Sequence, residues 1–157
     1  MKSLSFTGNR SAPKTKDLMW RLHQAIEDYI KKGVATFNCG CSWGGDLFFM
    51  QSINKHKEKY PNIKLIICQP CQEQDKLWSE QQKAEYKNIL EKADEVILVS
   101  NLPYANFLMI KRNEYMLARA DYVLSIYNFK NIGGGTQDTL KKTEKIDKIK
   151  EILIIKP

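Results

Sequence analysis

Long apolar runs are missing from this chain. Within its 157 residues no apolar stretch approaches the ~18 needed to cross a membrane, which excludes a helical span and a membrane partner of that kind. The opening residues, "MKSLSFTGNR", lack the long apolar segment and the small-residue cleavage site of a secretory signal, so a cytoplasmic protein is expected. Two common phosphate-binding fingerprints are also missing. There is no G-x-x-x-x-G-K-[ST], and no G-x-G-x-x-G follows the first apolar run, which excludes the ATPase loop and the dinucleotide fingerprint. Cysteine is scarce: four residues form two tight pairs, Cys39 with Cys41 and Cys68 with Cys71. C-x-C on one side departs from the paired C-x2-C knuckles of structural zinc sites, and each pair closes an apolar run, where small buried thiols are common. Reduced thiols are therefore expected, with no metal and no cofactor; a zinc site is the alternative.

What is there is the composition of one ordinary soluble unit, 43% hydrophobic and 27% charged, and residues 1–157 are read as a single domain. The net charge of +7 favours anionic partners such as nucleotides or nucleic acid. The lysines are spread out, however. The densest basic segment, "LKKTEKIDKIK", alternates with acids like a solvated helix face, so charge alone does not make a DNA binder.

Hydrophobic periodicity predicts a regular alternation of strands and helices. Strands are expected over 3–6, 34–39, 63–68, 95–100, 121–127 and 151–156. Between them, Leu18, Leu22, Ala25, Ile26, Tyr29 and Ile30 keep helical spacing, with Gly33 at the stop. A second helix is expected to run from Leu47 until Pro61 closes it. Ser79 and Gln82 have the spacing of a capping box for the third. Helices over 106–120 and 136–146 complete the set. Such alternation calls for right-handed crossovers and hence an α/β, Rossmann-like three-layer sandwich with a mostly parallel sheet.

In open parallel sheets, ligands sit beyond the carboxyl ends of the strands. Three glycine-containing loops are expected to share that edge: "TGNRS", "CGCSWGGD" and "NIGGGTQDT". Glycine lets backbone approach a ligand closely, and the free N–H groups of a helix start favour an anion. Thr7, Gly8, Gly44, Gly133, Gly134, Gly135, Thr136 and Thr139 are thus candidate phosphate-cradling residues, with Arg10 adding a guanidinium fork. Arg112 is expected near the same edge.

Six segments, "FTGNR", "GCSWGGD", "QPCQEQDKLW", "RNEYML", "ADYVLSIY" and "GGGTQDT", together resemble, in that order, the YpsA-like branch of the SLOG superfamily, to which the LOG phosphoribohydrolases and the DprA/Smf DNA-processing proteins also belong. The resemblance implies a nucleotide or nucleotide-derived ligand, of the ADP-ribose/NAD kind or a nucleoside monophosphate, in a sensing or regulatory module, and makes Trp43 and Asp46 candidates for ribose or base contacts. LOG enzymes pair an arginine in M-x-x-R-K with a glutamate closing P-G-G-x-G-T-x-x-E. Met109 and Arg112 match the first motif, Asn113 replaces its lysine, and the glutamate position falls on Thr139. A threonine cannot supply the carboxylate of a glycosidic cleavage, and Asp138 points about 100° away on a helix. Binding is therefore favoured over catalysis. The alternatives are an N-glycosidase on nucleoside 5'-monophosphates, using Arg112, Glu114 and Asp138, and DprA-like single-stranded DNA binding, with Tyr104 and Trp78 as stacking surfaces. A homo-oligomer is compatible with such a sheet, though no pairing surface is legible.

Overall fold

The computed structural model describes residues 2–128 and 134–157. Eleven elements alternate among these residues: β1 (Lys2–Gly8), α1 (Lys16–Lys31), β2 (Val34–Cys39), α2 (Gly45–Lys59), β3 (Lys64–Gln69), α3 (Glu80–Lys92), β4 (Glu95–Leu98), α4 (Asn106–Ala118), β5 (Tyr122–Ile126), α5 (Gly134–Thr143) and β6 (Glu151–Ile155). The strands form one sheet in the order β4-β3-β2-β1-β5-β6, and every pairing is parallel. The architecture is the α/β Rossmann-like sandwich expected, parallel throughout.

Local chemistry explains the boundaries. Thr15 caps α1 by accepting from the Leu18 amide, and Ser79 with Gln82 forms the full capping box of α3. Gly33, at φ 97°, takes the left-handed turn after α1, and Pro61 follows the end of α2. Three expectations overshoot by two residues or more. β4 ends at Leu98 rather than residue 100, because its one partner, β3, ends at Gln69 opposite Leu98. α4 stops at Ala118, where Arg119 and Ala120 close the last turn with i→i−3 bonds. α5 ends at Thr143, and Ile146 packs beyond it against the cluster of Leu117, Val123, Tyr127 and Leu140.

The sheet's two faces have different chemistry, legible along β1. Leu4 and Phe6 point into the main core with α1 and α2, where the Phe6 ring stacks on Phe49 at 4.4 Å. Burying each such ring contributes about 1.5–3 kcal/mol. On the opposite face, the Ser3 and Ser5 hydroxyls donate to the Arg119 and Met116 carbonyls at the end of α4. Strands β1 to β4 step one way across the sheet and the next crossover steps back. Right-handed connections therefore put α4 and α5 on the face opposite α1, α2 and α3. The reversal lies between β1 and β5, and there the chain opens. No helix among the described residues is long and apolar enough to cross a membrane.

Candidate functional site

A cavity of about 510 Å³ lies at the carboxyl ends of the strands beside this reversal. The β1 end contributes Phe6, Thr7, Gly8, Asn9 and Arg10; the turn into α2 contributes Ser42 and Asp46; the start of α5 contributes Gly134, Gly135 and Thr136. The fourth wall is one face of α4: Asn106, Met109, Ile110, Arg112, Asn113 and Met116. Described residues of all three glycine-containing loops line the cavity.

Backbone approach holds the first two loops together. The Gly45 amide donates to the Asn9 carbonyl at 3.0 Å, and a Cβ on Gly45 would lie 3.1 Å from the Gly8 Cα. Gly44, at φ 87°, leaves no room for a side chain: its Cβ would run into the Arg10 carbonyl. Asn9 also holds the chain just past β5, accepting at Oδ1 from the Asn128 amide at 2.8 Å.

Two arginines face the cavity with different duties. Arg10 is exposed and makes no hydrogen bond or ion pair among the described residues, which leaves its guanidinium available to an anion. Arg112, only 4% exposed, sits in the middle of α4 rather than near its start. It donates to the Gly40 carbonyl at 2.6 Å, to Asn113 Oδ1 at 2.8 Å and to the Cys68 carbonyl at 3.4 Å. It thus ties α4 to the ends of β2 and β3. Gln74 donates to the same Gly40 carbonyl at 3.1 Å and accepts from Tyr86.

Among the described residues Asp46 is the one carboxylate lining the cavity. It is buried in the first turn of α2 and accepts the Ser42 amide at 2.9 Å. Burial pushes its carboxyl up to about 6, against the opposing pull of the Arg112 guanidinium, the Ser42 hydrogen bonds and Arg10. The site thus holds an acid that changes charge close to neutral pH.

Several expected residues lie elsewhere. Trp43 does not line the cavity; its ring packs edge-on to Trp78 at 6.3 Å, and Trp78 in turn packs on Tyr86. These large rings gain more by covering the core than by facing the cavity. Gly44 backs the Arg10 turn rather than the cavity. The Thr139 hydroxyl is spent within α5, donating to the Gly135 carbonyl at 2.8 Å. Glu114 and Asp138 both pair with Lys142, at 2.8 and 3.0 Å, outside the cavity lining. Tyr104 donates its hydroxyl to Asn106. Gly133 lies outside the described residues. All four cysteines are buried with free thiols, and burial pushes the Cys68 thiol up to about 11. Among the described residues no three potential metal ligands come together. What sequence reasoning missed is the rest of the α4 wall beyond Arg112. Its signal was present in the spacing of Asn106, Met109, Ile110 and Asn113, which share one helix face.

The family model YpsA, described as the YspA SLOG family, matches residues 5–156. The chain belongs to this SLOG family. It is 34% identical over 149 residues to the SPbeta prophage-derived protein YoqJ of Bacillus subtilis (strain 168), covering 87% of this chain and 84% of YoqJ. YpsA of the same organism is 28% identical over 113 residues, covering 64% of this chain and 63% of that protein. Among solved structures, DNA processing protein A of Streptococcus pneumoniae superposes with a TM-score of 0.67 at 12% identity. That of Helicobacter pylori, described for its single-stranded DNA binding mode, does so with 0.61 at 14%. Each match covers 98% of this chain, which spans 50% and 64% of those two proteins. At such identity the likeness concerns the fold.

Proposed function

We propose that this SLOG domain binds a nucleotide or nucleotide-derived ligand, of the ADP-ribose/NAD kind or a nucleoside monophosphate, as a cytoplasmic sensing or regulatory module. One observation carries the reading: a single cavity at the sheet's reversal joins glycine backbone at a helix start, an arginine with no ion pair among the described residues and a helix face that carries Met109, Ile110 and Met116. A phosphate is matched by the Gly134–Gly135–Thr136 turn with Arg10, and a base by Met109, Ile110 and Met116. Asn106, Asn113 and Asp46 offer polar partners for a sugar.

Binding is favoured over hydrolysis because the carboxylates nearest the LOG pattern, Glu114 and Asp138, are held by Lys142 away from the cavity. The test is a thermal-shift screen with AMP, ADP-ribose, NAD, cyclic ADP-ribose isomers and short oligonucleotides, with free base assayed in the same wells. A ligand at a hundred times its Kd adds about 2.7 kcal/mol of stability. A melting shift without base release, lost in Arg10→Ala, supports the proposal. Release of free base would instead make the protein an N-glycosidase, with Asp46 the carboxylate to examine. Stabilisation by oligonucleotides alone, falling steeply with salt, would favour the DNA reading.

A further inference from the structure

The α4 wall continues past the cavity. Asn106 and Ile110 line the cavity one turn apart, and Phe107 and Lys111 form the adjacent row, about 100° further round the helix. Phe107 is 51% exposed and Ile110 42%. The Lys111 ammonium stands 5.5 Å from the Phe107 ring centroid and makes no ion pair among the described residues. An aromatic ring, an apolar neighbour that lines the cavity and a cation that lies over one face of that ring, with no ion pair among the described residues, therefore adjoin beside the cavity, a combination that suits a base stacked on the ring's other face with its phosphate near the ammonium.

We propose that Phe107 and Lys111 form a second base subsite, so that the ligand is a nucleotide carrying two bases joined through phosphate. The inference rests on the nucleotide reading of the cavity and extends it. One nucleotide occupies the cavity; the second base leaves over Ile110, stacks on Phe107, and brings the linking phosphate within reach of Lys111. The linkage, phosphodiester or pyrophosphate, is common to both sources in its chemistry at this rim, and the probes separate them.

The experiment is calorimetric titration of the full chain with AMP, with the phosphodiester dinucleotide pApA and with NAD, for the wild type, Phe107→Ala and Phe107→Trp. A two-base probe is expected to bind about tenfold more tightly than AMP. Phe107→Ala should remove that excess while leaving AMP binding unchanged, and Phe107→Trp should keep it. Tighter binding of pApA alone identifies a phosphodiester ligand, and of NAD alone a pyrophosphate one. If neither probe exceeds AMP, or if Phe107→Ala weakens AMP equally, the second subsite is overturned while the nucleotide reading stands. If no probe binds, both fall.

Discussion

Two glycine pairs stand at helix starts, Gly44–Gly45 at the start of α2, packed behind the cavity, and Gly134–Gly135 at the start of α5, lining it, and they exist for different reasons. The first is filled. A Cβ at Gly44 would collide with the Arg10 backbone and one at Gly45 would press on Gly8 at 3.1 Å. Among the described residues the second is open: a Cβ at Gly134 meets nothing within 4 Å, and one at Gly135 meets only Asn113 Nδ2, at an ordinary 3.8 Å. Similar letters thus serve packing in one turn and free space in the other. Gly134 shares with Gly44 a positive φ, 85° against 87°, so space rather than backbone strain separates them.

The comparison is sharpest in Gly44→Ala. Strain and collision with backbone that cannot swing aside should together cost about 3 kcal/mol or more, a drop of roughly 6–12 °C in Tm for a chain this size. Gly134→Ala carries the strain alone and should cost about 1 kcal/mol. Equal melting losses in the two variants would break the distinction.

A smaller effect is expected at Asp46. Its folded carboxyl titrates at about 6, above the ordinary carboxylate value of about 3.9, so the native state binds the proton more tightly than the unfolded chain. Keeping the charge buried therefore costs stability above pH 6, and the cost is relieved as pH falls towards 4. Asp46→Asn should raise stability by about 1–3 kcal/mol at pH 7.5 and by much less at pH 4, in melts recorded across that range. A variant less stable than the wild type at both pH values would show that the Ser42 and Arg112 contacts outweigh burial.

Gly135→Ala should change stability by less than about 1 kcal/mol, towards stabilisation, since alanine favours the helix and no described residue obstructs its methyl group. Gly45→Ala should destabilise. The smallest effect belongs to Arg10→Ala, within about 0.5 kcal/mol by denaturant titration, because this exposed side chain has no hydrogen bond or ion pair among the described residues to lose. Nucleotide-induced stabilisation should nevertheless disappear in it.

Much of this was legible beforehand. The Ser79 capping box, the Gly33 stop and the strand–helix alternation are local signals, each written within a few residues of the structure it specifies. The meeting of three loops followed from their place after parallel strands. Arg112 was harder. Its neighbours in sequence, Lys111 and Asn113, say nothing of the Gly40 and Cys68 carbonyls that hold it, contributed by strands 40 or more positions away. Trp43 stands beside the site in the chain, yet its ring turns towards Trp78.

Periodicity and turn chemistry by themselves therefore determined the order of elements, the parallel sheet and the edge where the loops gather, because those depend on residues close together in the chain. Which way Trp43 and Arg112 point, which glycine turn is filled and which stands open, and that α4 closes the fourth wall were decided only by the tertiary structure. The reason is steric and electrostatic. Each depends on atoms from distant segments competing for the same few ångströms.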